Sequence, residues 1–124
     1  MSKPSILIVD DNHDFQWMFR SLLEAEYAIT TVDTGFEAID LLKHHVFTLI
    51  ITDLQMPSMS GVELIECIKS NEKTANIPII VSSSMDLERH DLKVAAVVSK
   101  FDLTKNLGAT VRRVLHDYNY YGSS

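Results

Sequence analysis

The sequence predicts an α/β domain built on a doubly wound, five-stranded parallel β-sheet with helices on both faces. Five short apolar segments alternate with segments whose apolar residues recur at helical spacing. The apolar segments are continuous, which is typical of strands buried on both faces of a parallel sheet. A chain of 124 residues suits one such domain. We therefore expect a single domain over residues 1–124, with its core at about 4–118 and a tail at 119–124.

The five apolar segments define the predicted strands. In chain order they are residues 5–9, 27–32, 47–52, 79 to 82 or 83, and 94–99. The second segment is rich in β-branched residues, which favour strands. Pro78 stands directly before the fourth segment, and proline is tolerated at the first residue of a strand.

Four further segments are predicted helices, because apolar side chains recur on one face of each. These side chains are Phe15, Met18, Phe19, Leu22 and Leu23; Phe36, Ile39 and Leu42; Val62, Leu64, Ile65 and Ile68; and Leu103, Leu107, Val111, Val114, Leu115 and Tyr118. Asp11 or Asn12 is the expected cap of the first helix. The charged residues 85–93 are a candidate for a short additional helix.

Composition limits the classes of partner. The formal net charge is −6, which argues against direct binding to nucleic acid or to an anionic membrane, since both reward clustered lysine and arginine. Cys67 is the single cysteine, so no internal disulfide forms, and we expect it to be a packing residue. No apolar run has membrane-spanning length, and the N-terminus has no signal-peptide pattern. We expect a cytoplasmic protein without membrane insertion.

Polar residues follow the apolar runs at the points where the strands end. Asp10 and Asp11 follow the first strand, Asp53 the third and Lys100 the fifth, while serines 82–84 end the fourth. All carboxyl ends of a parallel sheet with right-handed crossovers lie at one edge, where such folds bind ligands. We therefore expect three carboxylates, a hydroxyl and an ammonium group to meet there.

The residue types at this edge indicate phosphoryl chemistry. Neighbouring carboxylates repel, and a hard cation such as Mg²⁺ relieves the repulsion by binding their oxygen atoms. One accessible carboxylate can then act as a nucleophile toward phosphorus. Lys100 and the cation would offset the charge that the carboxylate gains, and a serine hydroxyl could bond a phosphoryl oxygen.

These motifs resemble those of the receiver domains of two-component response regulators. The shared features are the aspartate pair after the first strand, "DLQMPSMSG" from Asp53 to Gly61, Ser83 and Lys100. The segments "IPIIVSS" and "TVDTGFEAIDLL" also match, so the resemblance covers roughly residues 4–118. It implies a flavodoxin-like receiver fold with strand order 2-1-3-4-5 and five helices.

The resemblance also implies roles for individual residues. Asp53 would accept a phosphoryl group from a histidine kinase or a histidine phosphotransfer domain, and then switch contacts with a downstream protein. Asp10, Asp11, Asp53 and the backbone carbonyl of Gln55 would hold Mg²⁺. Lys100 would contact the phosphoryl group, and Ser83 would be the switch hydroxyl. The chain would be no enzyme beyond its own phosphorylation and dephosphorylation.

Three positions depart from the family pattern. The segment between Ser83 and Lys100 is short, which predicts a shortened fourth helix region or an irregular loop. Phe101 replaces the proline that usually follows the lysine, which puts the placement of Lys100 in question. Val97 replaces the usual aromatic switch residue, so the usual serine–tyrosine coupling cannot operate.

Other interpretations remain open at this point. The main alternative function is a phosphorylation-independent interaction module on the same fold, and a metal-dependent phosphohydrolase is a third. A slip of one residue would give the switch role to Ser82 or Ser84 instead of Ser83. Trp17 is either a half-buried amphipathic residue or a docking anchor for the phosphodonor. His13 is expected to be solvated rather than a metal ligand.

Overall fold

The computed structural model describes residues 3–84 and 92–118, and its centre is a parallel sheet of five strands. The strands are β1 (Ser5–Val9), β2 (Ala28–Val32), β3 (Leu49–Asp53), β4 (Ile79–Ser83) and β5 (Ala96–Ser99). Their order across the sheet is β2-β1-β3-β4-β5, and every neighbouring pair is parallel. The predicted fold class and strand order are confirmed.

Four helices in the described residues cover the two faces of the sheet. They are α1 (His13–Leu23), α2 (Gly35–Leu42), α3 (Gly61–Ser70) and α4 (Leu103–Asp117). Helices α1 and α4 share one core cluster with the sheet, and α2 and α3 share the other. The short helix predicted at residues 85–93 falls mainly on residues 85–91, which lie outside the described ranges, and Leu92 and Lys93 are not helical.

The central strands carry the core. In β1, β3 and β4 most side chains are buried, because each of these strands has a strand on both sides and helices on both faces. Residues along each strand alternate between the two core clusters: Ile6 and Ile8 belong to the α1–α4 side, and Leu7 and Val9 to the α2–α3 side. Burying an isoleucine or leucine side chain contributes about 1.5–3 kcal/mol. This burial fixes the strand register and with it the edge where the polar residues emerge.

Side-chain caps fix the starts of three helices. Asn12 caps α1 by accepting the N–H of Phe15 at 3.1 Å, and Thr34 caps α2 by accepting the N–H of Glu37 at 3.1 Å. Ser60 and Glu63 form a reciprocal capping box at the start of α3. Such caps typically contribute about 1 kcal/mol each. They also end the loops beside the sheet edge at defined positions.

The structure corrects several details of the sequence analysis. Strands β2, β3 and β5 begin one or two residues later than predicted, and β3 extends to Asp53. Phe36 is 57% exposed, although the helical pattern placed it in the core. The reason is that α2 turns Gly35 and Ala38 inward, where a Cβ atom on Gly35 would lie 2.7 Å from Met59 Sδ.

Three further side chains are more exposed than predicted. Cys67 lies on the exposed side of α3, so the expectation that it is a packing residue is wrong. Trp17 is 70% exposed rather than half-buried, and Tyr118 at the end of the α4 stripe is 49% exposed. Within residues 3–84 and 92–118, no helix combines the length and the apolarity needed to cross a membrane.

Candidate functional site

The predicted polar residues do meet at the carboxyl edge of the sheet. Asp10 and Asp11 follow β1, Asp53 is the last residue of β3, and Lys100 follows β5. Their positions follow from the register, since Val9 pairs with Thr52 and Asp53 pairs with Ser82 across neighbouring strands. Three separate strands, β1, β3 and β5, therefore supply these four side chains to one site.

Three carboxylates form a cluster at this edge. Asp10, Asp11 and Asp53 each offer an oxygen atom, and these atoms lie within 4.8 Å of one another. Asp10 is fully buried, Asp53 is partly exposed and Asp11 is exposed, so the cluster opens toward solvent on one side. Oxygen ligands at this spacing suit a hard divalent cation such as Mg²⁺. Within the described ranges, this is the one group of at least three acidic, histidine or cysteine side chains close enough to hold a metal.

Lys100 is the counter-charge of the cluster. Its Nζ atom lies 2.7 Å from Asp10 Oδ2 and 3.1 Å from Asp53 Oδ2, and its side chain is buried. The ammonium group also lies 4.3 Å from the centre of the Phe15 ring, which is a cation–π distance. The replacement of proline by Phe101 has not displaced the lysine from the site.

Two opposing effects act on the pKa of the buried Asp10 carboxyl group. Burial raises the pKa of Asp10, because a charged carboxylate loses its hydration there. The contact with Lys100 and the hydrogen bond from the Asn12 N–H, at 2.9 Å to Oδ1, act in the opposite direction without fully cancelling it. A cation near Asp10 would favour its charged form in the same way as Lys100 does.

The loop after β3 holds Asp53 in place. The Gln55 N–H donates to Asp53 Oδ1 at 3.3 Å, and the Gly61 N–H donates to the Leu54 carbonyl at 2.8 Å. Gly61 approaches this loop so closely that a Cβ atom would lie 2.2 Å from the Asp53 carbonyl oxygen. Gln55 thus lies beside the cluster, and the use of its carbonyl as a metal ligand stays a prediction.

Ser83 lies where the sequence analysis expected the switch hydroxyl. It is the last residue of β4, it is buried, and its carbonyl accepts the Lys100 N–H at 2.8 Å. Ser82 is buried too and is the register partner of Asp53, whereas Ser84 is exposed. The exposure of Ser84 therefore argues against Ser84 as the switch hydroxyl. The switch role of Ser83 stays a prediction.

A second polar group borders the site. His13 Nε2 lies 3.0 Å from Asp33 Oδ1, and Gln16 Nε2 donates to the same oxygen at 2.7 Å. The hydrogen bond with Asp33 raises the pKa of His13, and Gln16 and His13 lower the pKa of Asp33. His13 was expected to be solvated; it is exposed but is also oriented by Asp33.

Sequence reasoning missed the role of Phe15 in the site. Phe15 packs against the core as its place in the helical pattern predicted, but its ring also lies beneath the Lys100 ammonium group. No local signal links these two residues, which are far apart in the chain. Val97 and Phe101 are 45% and 78% exposed on the β5 side, so neither covers the site as an internal switch residue.

Comparisons with known proteins agree with this geometry. The family model described as "Response regulator receiver domain" matches residues 6–109. The polar-differentiation response regulator DivK of Brucella abortus is 33% identical over 91 residues, which cover 73% of this chain and 74% of DivK. The hybrid signal transduction histidine kinase D of Dictyostelium discoideum is 34% identical over 93 residues, which are 75% of this chain but 6% of that kinase.

A solved structure shows the same likeness. The response regulator TrrA of Thermotoga maritima, in complex with Mg(2+)-BeF, superposes with a TM-score of 0.79 at 29% sequence identity. The match covers 90% of this chain and 99% of TrrA. The ligand in that structure belongs to TrrA and combines a divalent metal with a fluoride compound of beryllium.

Proposed function

Because the chain belongs to the family of response regulator receiver domains, we propose that Asp53 accepts a phosphoryl group from a histidine kinase or a histidine phosphotransfer domain. Phosphorylation would then change the contacts of this domain with a downstream protein. The observation that carries the proposal is the position of Asp53 between a buried ammonium group and two further carboxylates. Asp53 is partly exposed, as a nucleophile for an external donor must be. It also contacts Lys100, whose charge can offset that of a transferred phosphoryl group.

The transfer consumes no reactant other than a proton from solvent. An oxygen atom of the Asp53 carboxylate attacks phosphorus, and the bond between phosphorus and the imidazole nitrogen of the donor histidine breaks. The electron pair stays on that nitrogen, which holds a proton from solvent in the neutral product. Asp53 becomes an acyl phosphate, and the added negative charge is placed next to the Lys100 ammonium group.

The carboxylate cluster fits Mg²⁺ as the resident metal. Asp10, Asp11 and Asp53 would hold it, with the Gln55 carbonyl as a further ligand. When bound, the metal supplies positive charge for the phosphoryl oxygens. The chain's own groups do the rest: Lys100 neutralises charge from the buried side, and the Gln55 N–H orients Asp53. The Mg(2+)-BeF complex of TrrA supports this assignment.

We expect Ser83 to transmit the change. Its buried position at the end of β4 and its backbone link to Lys100 place it next to the site. A hydroxyl that turns toward a phosphoryl oxygen would move this strand end and the adjoining surface. The domain would have no catalytic activity beyond its own phosphorylation and dephosphorylation.

The exposed tryptophan supports a docking role toward the donor. Trp17 lies on α1, the helix that begins beside Asp11 and His13 at the edge of the site. Aromatic side chains are favoured at the centres of protein interfaces. The half-buried alternative is excluded by its 70% exposure.

A phosphorylation-independent interaction module is the second candidate. The exposed Val97 and Phe101 favour it, since the usual aromatic switch and proline are absent from the β5 side. The close contact between Lys100 and Asp53 counts against it, because a binding module has no need of a buried charge cluster. A phosphohydrolase with external substrates would need a substrate pocket beside Asp53, and three grooves of the described surface lie elsewhere.

The test is the intact mass of the protein after incubation with Mg²⁺ and acetyl phosphate, with Asp53→Asn as the matched variant. We expect one phosphoryl adduct of about 80 Da on the wild type, none on the variant and none when EDTA replaces Mg²⁺. If small donors fail, a phosphorylated histidine phosphotransfer domain is the second donor. Failure with both donors would favour the interaction module, and steady release of phosphate from unrelated phosphate esters would favour a phosphohydrolase.

A further inference from the structure

One hydroxyl group at the sheet edge has no part in the phosphoryl transfer described above. Ser82 is 1% exposed, and its Oγ atom has no hydrogen-bond partner among residues 3–84 and 92–118. A buried hydroxyl without a partner has lost its hydration and gained nothing in return. An alanine or valine would destabilise this state less. The serine is explained if another state of the protein gives it a partner.

The register places Ser82 directly beside the phosphoacceptor. Asp53 on β3 and Val98 on β5 are its partners on the two neighbouring strands. Register partners point to the same face of a sheet, on strands about 4.8 Å apart. Ile51, Ile80 and Val98 show that this face is the α1–α4 side.

The Lys100 side chain passes across the same face of the sheet. It starts beyond the end of β5, and its Nζ atom reaches Asp53 on β3 and Asp10 after β1. Between β5 and β3 lies β4, whose residue on this face and in this row is Ser82. The hydroxyl therefore lies next to the path of the lysine side chain.

Three groups surround the Lys100 ammonium group before phosphorylation. An ammonium group has three N–H donors, and here they face Asp10, Asp53 and the Phe15 ring. Phosphorylation turns the Asp53 carboxylate into a neutral acyl group and adds phosphoryl oxygens that attract the ammonium group. The N–H donors of Lys100 must then be redistributed among the available acceptors, which now include the phosphoryl oxygens.

We propose that Ser82 is a positioning residue whose hydroxyl accepts a hydrogen bond from the Lys100 ammonium group when Asp53 carries a phosphoryl group. The proposal rests on the proposed function, because it concerns the phosphorylated state. The hydroxyl destabilises the resting state, in which it has no partner, and stabilises the phosphorylated state, in which it has one. Removing it thus changes the two states in opposite directions.

The experiment uses beryllofluoride with Mg²⁺ as the probe for the phosphoryl state, and urea unfolding for the resting state. Ser82→Ala removes the hydroxyl, Ser82→Thr keeps it, and Ser84→Ala is the matched control on the exposed neighbour. We expect Ser82→Ala to bind beryllofluoride about tenfold more weakly, as for the loss of one hydrogen bond to a charged group. It should also unfold at a higher urea concentration without the probe.

The outcomes separate the inference from the proposed function. Wild-type affinity within about threefold in Ser82→Thr, together with the opposite shifts in Ser82→Ala, would support the role of the hydroxyl. Unchanged affinity in Ser82→Ala, or an equal loss in Ser84→Ala, would overturn it. No beryllofluoride binding by the wild type would overturn the proposed function first and the inference with it.

Discussion

Replacing Lys100 with methionine removes the ammonium group and keeps a long unbranched side chain over Phe15. The loss leaves Asp10, which is fully buried, without the cation that lies 2.7 Å from its Oδ2 atom. Removing one partner of a buried ion pair costs about 3–5 kcal/mol, because an unpaired charge stays behind. We expect a value near the lower end, about 3 kcal/mol, since Asp53 is partly open to solvent and needs Lys100 less.

The cost should depend on pH with a defined sign. Burial already raises the pKa of Asp10, and Lys100 is among the groups that oppose this rise, so its removal raises the pKa of Asp10 further. A carboxyl group with a raised pKa in the folded state contributes stability at pH values below its unfolded pKa and loses it as the pH rises through the folded pKa. The deficit of Lys100→Met should therefore be small near pH 4 and should grow as the pH rises toward 7.

Urea unfolding at several pH values measures this deficit. With an m-value of about 1–3 kcal/mol per M, a loss of about 3 kcal/mol moves the midpoint by about 1–3 M at neutral pH. Lys105→Met, an exposed lysine on α4, is the control and should change stability by less than about 0.5 kcal/mol. In an Asp10→Asn background the Lys100→Met loss should shrink, because the buried charge is gone. A loss that is equal in both backgrounds and independent of pH would show that the buried charge of Asp10 is not its cause.

Two further perturbations test the surroundings of the site. Gly61→Ala places a Cβ atom 2.2 Å from the backbone oxygen of Asp53, so we expect a loss of about 1–3 kcal/mol and slower phosphorylation, measured by urea unfolding and by intact mass. Gly108→Ala is the control, since its Cβ meets nothing nearer than 3.5 Å and should stabilise α4; equal effects of the two changes would contradict the loop contact. Asp33→Asn should lower the pKa of His13 toward its ordinary value, because the hydrogen bond with Asp33 is the main cause of the raised pKa. An unchanged NMR titration of the His13 ring would show that Asp33 is not the cause.

The strands were predictable because their composition leaves one arrangement. Continuous runs such as residues 5–9 and 79–83 must be buried on both faces, and alternation with helical patterns then requires parallel pairing. The polar residue after each run marks the edge of the sheet, which is why Asp10, Asp53 and Lys100 were placed correctly. The strand ends were less certain: β5 begins at Ala96, two residues later than its apolar run suggests.

Details that depend on packing between distant elements were not predictable. Phe36 fits the apolar stripe of α2, but the close contact of Gly35 with Met59 sets which side of the helix faces inward. The contact of Phe15 with Lys100 joins the first helix to the end of the last strand, and no spacing rule covers it. The capping box of Ser60 and Glu63, in contrast, could have been found from its spacing alone.

The identity of the residue that becomes an acyl phosphate tests the proposed phosphoryl transfer most directly. Borohydride reduces an aspartyl phosphate to homoserine, which peptide mass spectrometry can assign to one position. After incubation with Mg²⁺ and a phosphodonor, we expect homoserine at Asp53 alone, and we expect Lys100→Met and Asp10→Asn each to reduce its yield. Homoserine at Asp10 or Asp11, or an equal yield in the Lys100 variant, would contradict the arrangement of nucleophile, carboxylates and ammonium group derived above.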